Sequence, residues 1–494
     1  MNWDAYVDIL VVAVYVALTA VLAWAAARRQ KNADEYFTGG RAMNGFVVGL
    51  SIFSAAFSAA AFVMLPREGA YRNWGLLSVL LLIPLFITPL LWHVFVPLYT
   101  RLNLSSVYEY LGIRFHPRLR RLGAVLFFGY AFGWLGSMLH TQVVILDAAV
   151  PLTPSLFVLA LVGIGAVAIL YACFGGIKGV IWLDVLQAMT LGGCIIVILL
   201  LAVSRVDGGI SAVIETGRAH AKFNLADFSA GPKGQTSVWW VLALAFFVYL
   251  PGYTTSQVTV QRYLCMSGPK EVHRALALNA AIAPFVYFLF LLTGTVMFVY
   301  YTQKAGALPA LASQDQILPH FIVHDLRVPG MTGLMCAGLL AAALGTLEGG
   351  INSIASVMTF DVLGIRTPTE RMNRLLTCLI GAGVVGAALL APRIGKNFID
   401  QITAVASTFL GLLLGVYVLG MAFSRANTGG ASCGLLAGAA GVTLALLHPG
   451  IPAWWSGAFA FVPTLLAGRL ASGLFPPPSP AQRIALFFPP TSSS

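Results

Sequence analysis

From Ala275 to Thr302 the chain carries no charged residue, and apolar runs of similar length recur from one end to the other. A helix satisfies its own backbone hydrogen bonds, so about 20 apolar residues are enough to cross a bilayer. Thirteen runs reach that length, near 5–27, 45–66, 74–99, 122–150, 154–174, 180–204, 236–261, 275–302, 329–363, 375–392, 399–423, 430–448 and 453–473. The ninth is over-long, which predicts a tilted or bent helix. Of the 494 residues 59% are hydrophobic and 10% are charged, against about 25% charged in soluble domains. A compact soluble body cannot cover itself with so few polar groups. A soluble enzyme, a disordered chain and a nucleic-acid-binding module are excluded. The chain reads as an all-α polytopic membrane protein.

The net charge of +11 fits this class, because Lys and Arg gather in the cytoplasmic loops of membrane proteins. Arg28, Arg29, Lys31 and Arg41 fall on one side, followed there by Arg101, Arg114, Arg118, Arg120, Arg121, Lys178, Arg262, Lys270 and Arg274. Fewer fall on the other, and the bias predicts an outside N-terminus and a cytoplasmic C-terminus in the cell membrane. Ser106-Val-Tyr-Glu109 has capping-box spacing and predicts a short helix over 105–121 lying on the headgroups through its arginines. The proline-rich residues 476–494 read as a disordered cytoplasmic tail. The six cysteines are scattered without metal or disulfide spacing, so they read as small buried hydrophobes.

Function lies where the spans are interrupted. In lipid, irregular backbone survives only where it is buried or lines a cavity. The second span contains Ser51-Ile-Phe-Ser54-Ala-Ala-Phe57-Ser58-Ala-Ala-Ala61. The seventh contains Tyr249-Leu-Pro251-Gly252-Tyr253-Thr254-Thr255-Ser256, in which Pro251 removes a backbone donor. Such small-residue runs also serve close helix packing. Their offset of five spans instead favours a transporter with two inverted repeats, spans 2–6 (45–204) and spans 7–11 (236–423). An extra span (5–27) and two peripheral ones (430–473) complete a single transport domain over 1–475. The ninth span adds Gly345-Thr346-Leu-Glu348 and Asn352-Ser353. A buried carboxylate is costly without a partner, and oxygens within two turns could hold a hard cation such as Na⁺.

Five segments, in order, resemble the sodium:solute symporter family. They are Glu35-Tyr-Phe-Thr-Gly39-Gly40-Arg41, Ser106 to Phe115, Gly175 to Gln187, Gln257 to Leu264, and Pro329 through Asn352-Ser353 to Asp361. The resemblance implies a leucine-transporter-like fold and transport by alternating access. It further implies a sodium site built from carbonyls of Ser54, Phe57 and Ala342, with a hydroxyl pair falling on Gly345-Thr346, so one hydroxyl is missing. Asp184 corresponds to an acid on the family's sodium exit path, or pairs with nearby Lys178. Ser58, Glu348 and Asn352 would serve coupling or structure.

The sugar carriers' glutamine corresponds to Ala61, and the proline carriers' aspartate to Ala56. What remains is a small aromatic pocket at Ala59, Ala60, Ala61, Trp74, Tyr249 and Tyr253, with His140 nearby, which suits a monocarboxylate-like solute better than sugar or proline. The expected partners are that solute, Na⁺ and the lipid bilayer, with no cofactor beyond the co-transported ion. A proton on Glu348 is the alternative driver, or a Na⁺-independent carrier of the same fold. A membrane-embedded enzyme or sensor is disfavoured, because the eight histidines cluster nowhere in the spans.

Overall fold

The computed structural model describes residues 3–29, 35–149, 152–225, 228, 231, 237–311, 313–393, 398–448 and 450–487. Its membrane elements are α1 (Trp3–Arg29), α2 (Gly45–Ala56), α3 (Ala59–Tyr71), α4 (Gly75–Leu102), α5 (Glu109–Arg114), α6 (Pro117–Ala149) and α7 (Pro154–Ser204). They continue with α8 (Val238–Thr254), α9 (Gln257–Leu264), α10 (Pro269–Ala305), α11 (Met331–Val357), α12 (Glu370–Leu390), α13 (Phe398–Ala422), α14 (Thr428–Leu447) and α15 (Ser456–Ala471). Among the described residues, ten helices are long and apolar enough to cross a membrane, and two bent pairs raise the number to as many as twelve. The expected thirteen requires α7 to be two spans. Its 51 residues would reach roughly 75 Å if straight, over twice the hydrocarbon thickness. Gly176 (φ 51°, ψ −166°) interrupts it, in a conformation that favours glycine.

Both expected breaks exist, at the first helix of each repeat. α2 and α3 are bent by 72°, and α8 and α9 by 41°. In the first, Phe57 and Ser58 turn extended, and the Ser58 hydroxyl accepts from the Ala61 N–H at 3.2 Å. The second break lies at Thr255–Ser256, one turn beyond Pro251–Gly252. Pro251 sits in the last turn of α8, directly after the π-helical turn Ala245–Tyr249, and its missing N–H leaves a carbonyl of the preceding turn without an intrahelical donor. Loosened carbonyls there find donors outside the helix. Tyr99 donates to the Thr254 carbonyl, and Tyr108 to the Thr255 carbonyl at 3.0 Å.

The broken helices are gripped on several sides. α10 runs so close to α3 that a Cβ at Gly69 would lie 2.1 Å from the Leu291 carbonyl oxygen, and one at Gly294 2.1 Å from that of Pro66. Small residues permit this backbone contact, as expected within a membrane. α7 and α11 pack against each other and against α2, and α1 lies across both. α14 and α15 form a satellite pair docked through α13.

Two expectations need correction. The 105–121 segment is no single helix on the headgroups: α5 ends at Arg114, and α6 begins at Pro117. Arg114 is buried, donating to the carbonyls of Gly420 (2.7 Å) and Phe423 (2.9 Å), and Arg120 pairs with Asp361 at 2.6 Å. The end of α13 leaves carbonyls without intrahelical partners, and Arg114 satisfies them there. Nor is the tail disordered up to Phe487. Ser479 caps a turn at Pro480–Arg483, Ala485 and Leu486 are buried, and the Phe487 N–H reaches the Met421 carbonyl at 3.1 Å. Residues 488–494 lie outside the described ones.

Candidate functional site

The α2–α3 break leaves the last carbonyls of α2 without intrahelical partners, and α11 crosses directly beside it. The Thr346 hydroxyl lies 3.3 Å from the Phe57 carbonyl oxygen across the gap and 3.3 Å from that of Ala342 one turn back. Ser54, Phe57, Ala342 and Thr346 are all buried there. Gly345 faces the same point. A Cβ added to it would lie 2.5 Å from Gln187 Oε1, 2.8 Å from Ser54 Oγ and 3.2 Å from Asp184 Oδ1. The space beside Gly345 is thus already held by the Gln187 amide, whose oxygen receives the Ser54 hydroxyl at 3.4 Å.

A buried polar network stands behind this point. Asp184 Oδ2 accepts from Arg262 Nη2 at 2.8 Å and from Ser51 Oγ at 2.5 Å. Arg262 Nε donates to Ser51 Oγ at 2.7 Å, and Nη1 to the Val258 carbonyl at 2.6 Å. The cation on Asp184 is therefore Arg262 of α9, not Lys178, its neighbour in sequence. Glu348 Oε1 accepts from Gln187 Nε2 at 2.8 Å, while Glu348 Oε2 and Asp184 Oδ1 have no partner. Asn352 Oδ1 accepts from Gln261 Nε2 at 3.1 Å, and Ser353 donates to Gln261 Oε1 at 2.8 Å. Asp184, Glu348 and Arg262 are fully buried. Two carboxylates against one guanidinium leave the trio one positive charge short, and an uncompensated buried charge is costly. An added cation or proton would balance it.

On the other side of the break lies a cavity of about 180 Å³. Of the expected solute residues, Ala61, Tyr249 and Tyr253 line it, with Ser58 at its edge. Ala59, Ala60, Trp74 and His140 do not. Trp74 turns away, donating its indole N–H to Thr295 Oγ1 at 3.0 Å and packing against Phe223 and Phe288, and His140 packs at a tilt against Phe157. The walls that sequence reading missed are Tyr130, Trp134 and Met138 of α6, Trp240 of α8, Tyr287 of α10 and Thr403 of α13. Tyr130, Trp134 and Met138 form an i, i+4, i+8 stripe that was open to inspection. No Lys, Arg, His, Asp or Glu lines the cavity, and the buried Trp240 Nε1 has no partner. Among the described residues, no group of three or more His, Cys, Asp or Glu could hold a metal ion.

These features can be set beside known proteins. The sodium/sialic acid symporter SiaT of Proteus mirabilis is 30% identical over 474 residues, covering 93% of this chain and 92% of the relative. The human sodium-coupled monocarboxylate transporter 1 is 27% identical over 447 residues, covering 88% and 72%. A Na⁺-coupled sialic acid symporter solved in a substrate-bound outward-open state superposes with a TM-score of 0.86 at 27% identity, covering 95% of this chain and 98% of that one. The relatives thus do not single out a monocarboxylate as the solute. The profile described as "Sodium:solute symporter family" matches residues 36–438. The chain belongs to that family: it is a multi-pass membrane carrier that couples a solute to Na⁺, and not an enzyme.

Proposed function

We propose that one Na⁺ is held by the carbonyls of Ser54, Phe57 and Ala342 and the hydroxyl of Thr346, and that it drives import of a small uncharged solute with an aromatic or apolar body. The observation that carries the ion site is the Thr346 hydroxyl poised between the Phe57 and Ala342 carbonyls, which ties the broken helix to α11. A cation there favours the arrangement in which the two approach, and alternating access follows when the ion leaves. Asp184, whose Oδ1 faces Gly345, would guide the ion on its way out.

The solute class follows from the cavity. A volume of about 180 Å³ is below the roughly 300–1,000 Å³ usual for drug-sized ligands, so the solute has few heavy atoms. Aromatic walls offer large contact area, and the Trp240 N–H can receive one acceptor group. Without a cationic side chain, the cavity has nothing of its own to pair with a carboxylate. The test is uptake into proteoliposomes under an imposed Na⁺ gradient, with neutral aromatic and aliphatic solutes beside monocarboxylates and sialic acid. Saturable, Na⁺-dependent uptake of a neutral solute supports the reading; uptake confined to the acids overturns it.

A second reading rests on the unpartnered Glu348 Oε2: a proton there would supply the missing positive charge. If uptake responds to a pH gradient as well as to Na⁺, and Glu348→Gln abolishes only the pH response, the proton is a second coupled ion.

A further inference from the structure

A second cleft, of about 590 Å³, lies on the far side of α8 from the solute cavity, walled by α4, α8, α13, α15 and the end of the described chain. Its walls are apolar but for Ser424. Phe86 and Phe246 stand at its lip, 41% and 37% exposed with ring centroids 5.1 Å apart. Both belong to membrane-length helices, so the lip faces lipid. An apolar cleft in hydrocarbon gains dispersion contacts when a chain fills it.

One end of the cleft is basic. Leu486 lines it, and the Leu486 carbonyl accepts from Arg101 Nη2 at 2.5 Å. Arg483 stands three residues earlier, and its buried Nε has no partner. Among the described residues neither arginine has a carboxylate partner. Arg101 gives its Nη2 to the Ile484 and Leu486 carbonyls, so two guanidiniums without a carboxylate partner stand beside one end of the apolar cleft, an arrangement that suits a phosphate joined to an acyl chain.

We propose that this cleft is the seat of one anionic phospholipid, its chain between Leu90 and Val418 and its phosphate at Arg101 and Arg483. The seat bears on transport through one element. The π-helical turn Ala245–Tyr249 gives Phe246 and Phe247 to the cleft and Val248 and Tyr249 to the solute cavity. A lipid chain therefore braces the helix that closes on the solute, whichever solute that is.

The full chain in detergent is titrated with phosphatidylglycerol or phosphatidylcholine of matched acyl chains, and bound lipid is counted by native mass spectrometry. The expected result is one phosphatidylglycerol per chain. An arginine near an anionic surface favours it by about five-fold, so Arg483→Gln should weaken retention about that much. Val418→Trp fills the cleft and should abolish it; Leu90→Trp plugs the opposite wall should the first variant misfold. Equal retention of phosphatidylcholine, unchanged retention in Arg483→Gln, or retention in a folded plug variant overturns the proposal. So does binding that appears only when the chain is cut after Phe487, since residues 488–494 would then be the occupant.

Discussion

Thr346 and Gly345 are neighbours in sequence with opposite consequences. If the Thr346 hydroxyl is a ligand, Thr346→Ala removes one bond to a charged group, worth about 1.5–3 kcal/mol. The Na⁺ concentration for half-maximal uptake should then rise about 10- to 150-fold, while Thr346→Ser leaves it nearly unchanged. Unaltered Na⁺ dependence in Thr346→Ala would remove the site. At Gly345, sequence alone suggests that Gly345→Ser restores a missing hydroxyl. The structure reverses the sign, because the new Cβ meets the Gln187 amide at 2.5 Å and Ser54 Oγ at 2.8 Å. Overpacking of this kind costs about 1–3 kcal/mol, so Gly345→Ser alone should lower the unfolding temperature. Combined with Gln187→Ala, the serine gains its space, and Na⁺ affinity should exceed that of Gln187→Ala by itself. An unfolding temperature equal to wild type in Gly345→Ser would show that Gln187 yields freely. Gln187 lies 158 positions before Gly345, and no periodicity links two residues that meet only where α7 crosses α11.

At the scale of elements, interruption proved easier to read than enclosure. Ser, Ala and Pro-Gly runs announce a helix that cannot continue, because backbone preference is local. Which aromatic residues wall the solute cavity depends on helix crossings, and an aromatic side chain inside an apolar run serves lipid and cavity equally well. Tyr130 and Trp134 therefore carry no signal in the sequence that tells pocket from lipid, and Trp74 reads as a pocket residue although Thr295 holds its indole. Arg114 reads as a headgroup ligand because the end of α13, where its acceptors lie, is some 300 residues away in sequence. The loop after α7 shows how such distant ties act. Lys222, 5% exposed, donates to the Ala70 carbonyl near the end of α3 at 2.6 Å and lies 3.9 Å above the Phe298 ring. Burial pushes its ammonium down to about 8, from about 10.4 in an open chain. Between those values the unfolded chain keeps a proton that the folded one has released, so stability rises with pH. Thermal unfolding in detergent should shift upward from pH 8 to pH 10 in the wild type and less in Lys222→Met. Equal shifts in both would place the titration elsewhere.

For the molecule as a whole, the Asp184–Arg262 pair matters because it joins the two repeats: Asp184 belongs to α7 in the first, Arg262 to α9 in the second. Both side chains are fully buried at 2.8 Å. Removing one partner of such a pair costs about 3–5 kcal/mol, whereas removing both can be nearly neutral. Asp184→Asn and Arg262→Gln should each reduce the yield of folded carrier, and the double variant should recover most of it. Transport separates the two roles of Asp184. If the carboxylate only neutralises Arg262, the double variant should carry solute at the wild-type rate at saturating Na⁺. If its free oxygen also passes the ion on from the Thr346 site toward the inner side, the double variant folds but turns over slowly, with solute affinity little changed. The second outcome is expected, because Asp184 Oδ1 points at the Gly345 face and not at the guanidinium. A double variant with wild-type turnover would reduce Asp184 to a strut between the repeats.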